Sequence, residues 1–135
     1  MALFGKKSNK SESYGYSKYD EDGRVIYSES TTKEGELLKH YYKYDSFGRR
    51  VYYETYTDNV LTLKEYTSYR GNDKHITRIF YDERIYTDLV INGMGRIVYT
   101  KEVDLNTNIS HTSTYNSSTG LYDTVNTQEL FVPCI

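Results

Sequence analysis

One nine-residue pattern occurs twice in this chain of 135 residues, 25 positions apart. It reads YDEDGRVIY at 19–27 and YDSFGRRVY at 44–52. When the copies are aligned on their glycine, a third, degenerate copy is found in YRGNDKHI, with Asp73 at the glycine position. Further copies are INGMGRIVY at Gly95 and, more weakly, NSSTGLY at Gly120. Self-similarity at such a period indicates an architecture built from repeated units, here five units of about 25 residues.

The core of the pattern, DxxG, is a tight-turn signal. An Asp at the first turn position hydrogen-bonds the backbone two residues further on, and a Gly at the last position tolerates a positive φ. The flanking runs, such as LLKHYYKY and RRVYYETY, have the aromatic and β-branched residues typical of strands. Each repeat of about 25 residues is therefore predicted to be one β-hairpin.

Further turn signals lie between the hairpins: TKEGE, TDN, YDER and DLNTN. Five hairpins joined by these turns predict an all-β fold, an antiparallel meander of about ten strands, and no helical period is found. The length fits one domain, predicted over 13–135 after a flexible N-terminal tail at 1–12. The pattern does not choose between a barrel, a roll and an open sheet that packs against another chain, and we favour a long, curled sheet whose aromatic face meets a partner.

Comparison of the repeats assigns side chains to the two faces of the predicted sheet. Three positions after the aligned residue stand β-branched aliphatic residues, which predict a buried face: Ile26, Val51, Ile76 and Val98. The next position carries residues that alternation places on the opposite face: Tyr27, Tyr52, Thr77 and Tyr99. Directly after the aligned residue stand basic residues, Arg24, Arg49, Lys74 and Arg96. We expect them to form cation–π pairs with Tyr19, Tyr44 and Tyr69 that stabilise the hairpin turns, and a shared ligand-binding role is the alternative.

Composition and charge limit the kinds of partner that the chain is expected to bind and the compartment in which it is expected to act. The chain has 17 Tyr, 4 Phe and no Trp, which favours broad sheet surfaces carrying half-buried rings. Its net charge of −2 gives no global reason to bind nucleic acid or anionic lipid. No apolar run is long enough to span a membrane. The single Cys134 cannot form an internal disulfide and fits a reducing, cytoplasmic location.

Catalytic and metal-binding patterns are weak in this sequence. The three histidines, His40, His75 and His111, do not pair at the spacing of metal ligands. DEDG at 20–23 lacks the later ligands of a calcium loop, and GMGR at 93–96 leads into a strand rather than a helix. The acidic pairs in the turns indicate loop charges rather than catalytic carboxylates. The sequence therefore predicts no enzyme activity, no metal and no cofactor.

The two strongest copies resemble the YD repeats of Rhs and teneurin-type proteins, in which a YDxxGR core marks each hairpin. The period is also similar to that of bacterial MORN-type repeat proteins, some of which look like antitoxin components. The resemblance covers residues 19–104 and implies a binding scaffold without catalytic residues, in one case placed near toxins. Five repeats are too few to enclose a cargo domain, as the many repeats of Rhs proteins do.

These observations favour a non-enzymatic protein-binding module. Its partner is expected to be a toxin or an enzyme, and its action that of a steric inhibitor or an immunity- or antitoxin-like protein. Because Tyr and Arg are frequent at interface hot spots, the predicted contact residues are Tyr27, Tyr52 and Tyr99, with Arg24, Arg49 and Arg96 at their margin.

Other modes of binding stay open at this point. Strand addition at a sheet edge is a second route to a protein partner, and self-association into a homo-oligomer is a third. The alternative function is a carbohydrate- or surface-binding structural module of a phage or cell-envelope assembly, because aromatic faces also stack on sugars. Binding of single-stranded nucleic acid by stacked tyrosines is disfavoured by the net charge.

Overall fold

The computed structural model describes residues 15–128 and the backbone of residues 2–4, and all of its regular structure is β. Cys134 lies outside the described residues. Within the described part of the chain no helix is long and apolar enough to cross a membrane. The described residues form eleven strands: β1 (Ala2–Phe4), β2 (Gly15–Tyr19), β3 (Val25–Thr31), β4 (Leu37–Tyr44), β5 (Arg50–Thr57), β6 (Val60–Arg70), β7 (Asp73–Phe80), β8 (Ile85–Ile91), β9 (Ile97–Asp104), β10 (Ile109–Asn116) and β11 (Leu121–Gln128).

Strand order in the sheet follows the order of the chain, from β1 to β11. The paired strands are antiparallel, so the prediction of an all-β antiparallel meander is confirmed. The four turns predicted between the hairpins all separate strands. Three residues of the predicted flexible tail, Ala2–Phe4, form β1, and the rest of 1–12 lies outside the described residues.

The chain divides into two compact units, which are described separately below. Unit 1 covers Met1–Lys64 and unit 2 covers Glu65–Ile135. All of the buried residues in the described part belong to unit 2: Ile76, Ile79, Val103, Leu105, Glu65 and Ser110. The buried Glu65 accepts a hydrogen bond of 2.7 Å from Nε of Arg78, which balances its charge.

Three of the aligned turns share one set of hydrogen bonds. Oδ1 of Asp45 accepts from the backbone N–H groups of Phe47 and Arg49, each at 2.9 Å, and Gly48 N–H donates to the Asp45 carbonyl at 3.0 Å. Gly48 has a φ of 83°, which strains any residue with a Cβ. The turns that begin at Asp20 and Asn92 repeat this geometry. The predicted turn chemistry is therefore confirmed at these three positions.

The third aligned position, in contrast, does not form this turn. Asp73 is the first residue of β7, and the hairpin turns at Gly71 and Asn72, with Gly71 at a φ of 60°. At the last aligned position the turn ends at Gly120, whose N–H donates to the Asn116 carbonyl at 2.8 Å. The backbone still reverses at both places, but with a different number of turn residues.

A β-bulge follows each of the three like turns. Lys18 pairs with Tyr27 while its neighbour Tyr19 pairs with Val25, which leaves Ile26 outside the register of the ladder. The same shift by one residue passes over Val51 in β5 and Val98 in β9. A bulge interrupts the alternation of side chains on which the assignment of faces depended.

The bulges change the predicted buried face. The prediction is wrong for Ile26, which is 38 % exposed, whereas Ile76, in the strand without this bulge, is buried at 9 % exposure. Val51 and Val98 are half-buried. The aliphatic residues that recur after the turns therefore mark the bulges rather than one continuous core.

Candidate protein-binding surface

Four tyrosine rings form a continuous row across β2 to β5 of unit 1. The ring centroids of Tyr16 and Tyr27 are 6.2 Å apart, those of Tyr27 and Tyr41 4.9 Å, and those of Tyr41 and Tyr56 5.7 Å. The planes of these pairs meet at 67°, 56° and 80°, in the edge-on and tilted geometries that aromatic pairs prefer. The row exists because antiparallel register sets Tyr27 directly opposite Tyr41.

Tyr52 lies on the same side of the sheet as this row. Tyr52 pairs with Lys43, which is two residues from Tyr41 on β4. Since paired residues and alternate residues of a strand share a face, all of these rings point to one side. We call this surface the front face and define it by five residues: Tyr16, Tyr27, Tyr41, Tyr52 and Tyr56.

Lysines lie over three of the front-face rings, and one of these contacts places Lys18 Nζ 5.9 Å from the centroid of Tyr16. Nζ of Lys18 is 5.5 Å from the centroid of Tyr27, and Nζ of Lys43 is 5.2 Å from that of Tyr52. Such cation–π contacts are worth about 0.5–1 kcal/mol each at exposed sites. The contacts of Tyr27 and Tyr52 occupy equivalent places in two successive hairpins, β2–β3 and β4–β5.

Carboxylates hold the phenol groups on the same face. The hydroxyl of Tyr27 donates to Glu29 at 3.2 Å, and that of Tyr52 donates to Glu54 at 2.6 Å. Tyr56 also donates to Glu54, at 3.5 Å. Burial, followed by the charge of Glu54, raises the pKa of Tyr56, so its phenol stays protonated as the donor. Three of the five front-face rings, Tyr27, Tyr52 and Tyr56, are therefore fixed by their hydroxyl groups as well as by packing.

The front face is partly open to solvent. Tyr41, at its centre, is 38 % exposed, and the other four tyrosines are half-buried. Large rings held in place on strands lose little side-chain entropy when a partner covers them. This is the kind of surface on which interface hot spots form.

The other side of β4 and β5 carries a second aromatic cluster, which we call the back face and define as His40, Tyr42, Tyr44, Arg50 and Tyr53. The ring planes of His40 and Tyr53 differ by 8°, and the Tyr53 hydroxyl lies 2.8 Å from Nδ1 of His40. The guanidinium of Arg50 is 4.8 Å from the Tyr53 centroid. Burial lowers the pKa of His40, which keeps its imidazole neutral at neutral pH.

Arg24 and Arg49, two of the predicted contact residues, are engaged in the turns. Arg49 Nε pairs with Asp45 at 2.8 Å, and Arg24 Nη1 pairs with Asp22 at 2.9 Å. Arg24 also lies 5.9 Å from the ring of Tyr44, a tyrosine of the following hairpin. A Cβ at Gly48 would be only 2.6 Å from its Nη2, so the side chain crosses the next turn. Arg24 therefore joins two hairpins.

The remaining predicted residues, Tyr99 and Arg96, belong to unit 2. Tyr99 is half-buried and pairs with Val90 and Thr114 on the neighbouring strands. Arg96 lies 4.4 Å from the ring of Tyr115. The structure thus brings Tyr27 and Tyr52 together on the front face of unit 1.

Sequence reasoning missed three of the five front-face tyrosines, Tyr16, Tyr41 and Tyr56. A signal for two of them is present, since Tyr16 and Tyr41 each stand seven positions before an aligned glycine. The two hairpins in fact repeat a YxK before the turn and a YxE after it. These are Tyr16, Lys18, Tyr27 and Glu29 in the first hairpin and Tyr41, Lys43, Tyr52 and Glu54 in the second.

Comparisons with known proteins found no match to this chain. No protein-family model, no curated protein and no solved structure matches the chain. In the described part of the chain, His, Cys, Asp and Glu side chains nowhere gather in a group of three or more that would hold a metal ion. The resemblance to YD repeats therefore stays a prediction from the residues alone.

Proposed function

We propose that this chain is a protein-binding module and that the front face of unit 1 is its contact surface. The observation that carries the proposal is the repetition of one surface arrangement in two successive hairpins. In each, a lysine lies over a tyrosine whose hydroxyl donates to a glutamate. The turn hydrogen bonds explain the repeated Asp and Gly, but they do not require these lysine, tyrosine and glutamate residues.

The geometry of the rings favours a protein over a sugar as the partner. Neighbouring front-face rings stand at 56° to 80° to one another, so they present edges and hydroxyls beside ring faces. A mixed surface of this kind suits the varied side chains of a protein. Stacking on a sugar uses a ring face that is free to lie flat against the pyranose.

The mode of action that we propose is steric. A sheet face that binds a partner can act on it by covering the surface that the partner needs for its own activity. The resemblance to YD-repeat and MORN-type proteins supports a toxin or an enzyme as that partner. Under this proposal the captured partner loses activity in proportion to its occupancy by the chain.

A pair of charge reversals on opposite faces tests the proposal. Lys43→Glu changes the front face and Arg50→Glu changes the back face, on the two neighbouring strands β4 and β5. Lys43→Glu removes one cation–π contact, at 5.2 Å from Tyr52, whereas Arg50→Glu removes two, at 4.8 Å from Tyr53 and 6.0 Å from Tyr42. We therefore expect the control, Arg50→Glu, to lose at least as much stability as Lys43→Glu. The tagged full-length chain and both variants are used for affinity capture from the native cell lysate, with quantitative mass spectrometry as the readout.

We expect one protein to be recovered in a stoichiometric amount with the unaltered chain and with Arg50→Glu. Its recovery with Lys43→Glu should fall by about tenfold or more, as for a charge reversal inside an interface. Equal recovery with both variants would exclude the front face. Recovery of no protein at any salt concentration, together with signals on a glycan array, would instead support the carbohydrate-binding alternative.

A further inference from the structure

The three like turns differ in how their arginines are paired. Arg24 and Arg49 each form an ion pair with an aspartate of their own turn. In the third turn Asn92 takes the place of the aspartate, and its Oδ1 still accepts from the backbone N–H of Arg96 at 3.0 Å. The turn is preserved, but among residues 15–128 no carboxylate forms an ion pair with Arg96.

Arg96 lines a shallow groove of about 420 Å³ on unit 2, together with Met94, Gly95, Ile97 and Tyr122. Met94 is 87 % exposed and Tyr122 is 47 % exposed, so the apolar walls are open to solvent. The groove therefore combines one charged group with accessible apolar side chains.

Contacts beneath the groove hold the cation in place. The Arg96 guanidinium lies 4.4 Å from the Tyr115 ring, which packs against Tyr122 at a centroid distance of 5.4 Å. The Tyr122 hydroxyl donates to the Ile97 carbonyl at 2.7 Å, which fixes this ring against β9. The guanidinium is thus oriented by aromatic contact while its N–H donors remain available to an anion.

We propose that this groove binds a carboxylate presented next to an apolar side chain by a peptide segment of a partner protein. Arg96 pairs with the carboxylate, since its planar fork matches the two oxygens. Met94, Ile97 and Tyr122 contact the apolar side chain, and the flexible thioether of Met94 adapts to its shape. This site belongs to unit 2 and does not depend on the front face of unit 1.

A peptide titration of the full-length chain tests the site. The probe is acetyl-Gly-Leu-Glu-Leu-Gly-amide, its neutral counterpart has Gln in place of Glu, and octanoate serves as a carboxylate without a peptide. The ¹³C-methyl resonance of Met94, assigned with Met94→Leu, reports binding. We expect the Glu peptide to bind about threefold to tenfold more tightly than the Gln peptide, as for one partly exposed ion pair.

Three variants separate this site from a general effect of charge. Arg96→Gln should abolish the preference for Glu. Asn92→Asp should do the same while keeping the fold, because Asp45 makes these turn hydrogen bonds and also pairs with its arginine at 2.8 Å. The control Arg84→Gln removes one positive charge from a different turn of unit 2, where Arg84 Nε donates to Asn106, and should leave the preference unchanged.

Several outcomes would overturn the proposal. They are equal affinities for the Glu and Gln peptides, an unchanged preference in Asn92→Asp, or no shift of the Met94 methyl up to about 5 mM probe, a weak affinity for a surface contact. Octanoate binding as tightly as the Glu peptide would show that the groove takes free carboxylates and not a peptide segment. Because none of these readouts involves the front face, failure here is distinct from failure of the proposed function.

Discussion

In unit 1, no residue of the range 15–64 is buried, whereas unit 2 buries Ile76, Ile79, Val103 and Leu105. Both units consist of antiparallel strands joined by short turns, so their difference lies in the side chains. Unit 1 carries rows of half-exposed tyrosines on both sides of its strands. Unit 2 removes from water the aliphatic side chains of Ile76, Ile79 and Val103 on its strands and of Leu105 in a turn.

The comparison shows two ways of stabilising the same kind of sheet. Burial of apolar surface is worth about 25 cal/mol per Å², so the aliphatic core of unit 2 supplies a term that unit 1 largely lacks. Unit 1 depends more on cross-strand pairs, each worth about 0.2–1 kcal/mol, and on its turn hydrogen bonds. The same arrangement leaves the tyrosines of unit 1 accessible to a partner.

The largest effect is expected in the core of unit 2. Ile79→Ala should lower the free energy of unfolding by about 3 kcal/mol, because Ile79 is buried and the substitution leaves a cavity. Leu38→Ala, at a half-buried position of unit 1, should cost about 1 kcal/mol. Urea unfolding followed by circular dichroism measures both. Equal costs would remove the distinction between the units.

A double-mutant cycle on the front face sharpens the account of unit 1. Tyr27→Leu and Tyr41→Leu should each destabilise the chain by about 1–2 kcal/mol, with a coupling energy of about 0.5–1 kcal/mol, because their rings are in contact at 4.9 Å. Additive costs would mean that the ring contact contributes nothing beyond burial.

At high pH the ionisation of one tyrosine of unit 2, Tyr86, should lower the stability of the folded chain. Burial raises the pKa of Tyr86 to about 12, and the hydrogen bond from its hydroxyl to Asp88 at 3.0 Å acts in the same direction. The folded state therefore prefers the neutral phenol. This contribution is present below the unfolded pKa of about 10 and is lost as pH rises through the folded value.

Tyr86→Phe should accordingly flatten the loss of stability between about pH 10 and pH 12, as measured by urea unfolding at each pH. Tyrosinate absorbance should show one group that ionises last in the parent chain and is missing in Tyr86→Phe. If Tyr86→Phe leaves the pH dependence of stability or the final titration step unchanged, the raised pKa belongs to another tyrosine.

The smallest effect is expected at the turns. Burial of Asp45 acts to raise the pKa of its carboxyl, but hydrogen bonds from Arg49 and Phe47 outweigh it, so the pKa is lowered. Asp45 therefore contributes stability above its unfolded pKa of about 4, and this contribution is lost as pH falls through the folded value. Asp45→Asn should be slightly less stable than the parent near neutral pH and equal to it in acid. If Asp45→Asn stays less stable than the parent in acid, the loss of stability comes from altered turn geometry rather than from the missing charge.

The turns and strands followed from the sequence because their signals are local. Asp20, Asp45 and their glycines specify the turn within a few residues, whatever the rest of the chain does. The bulges did not follow, since Ile26 looks like any β-branched strand residue until the pairing register is known. Tyr56 was missed for the same reason. It lies beside Tyr41 because of the register in which β4 pairs with β5, and that register is not visible in the sequence.

The comparison of two adjacent tyrosines on β4 tests the central claim most directly. Tyr41 lies on the front face and Tyr42 on the back face, so Tyr41→Ser and Tyr42→Ser remove the same group from opposite sides. The measurement is the affinity of each variant, shown to be folded, for the protein captured from the native lysate. We predict that Tyr41→Ser weakens binding by about tenfold or more, as at a hot spot, and that Tyr42→Ser leaves it nearly unchanged. The reverse order, or equal affinities, would contradict the assignment of the front face as the binding surface.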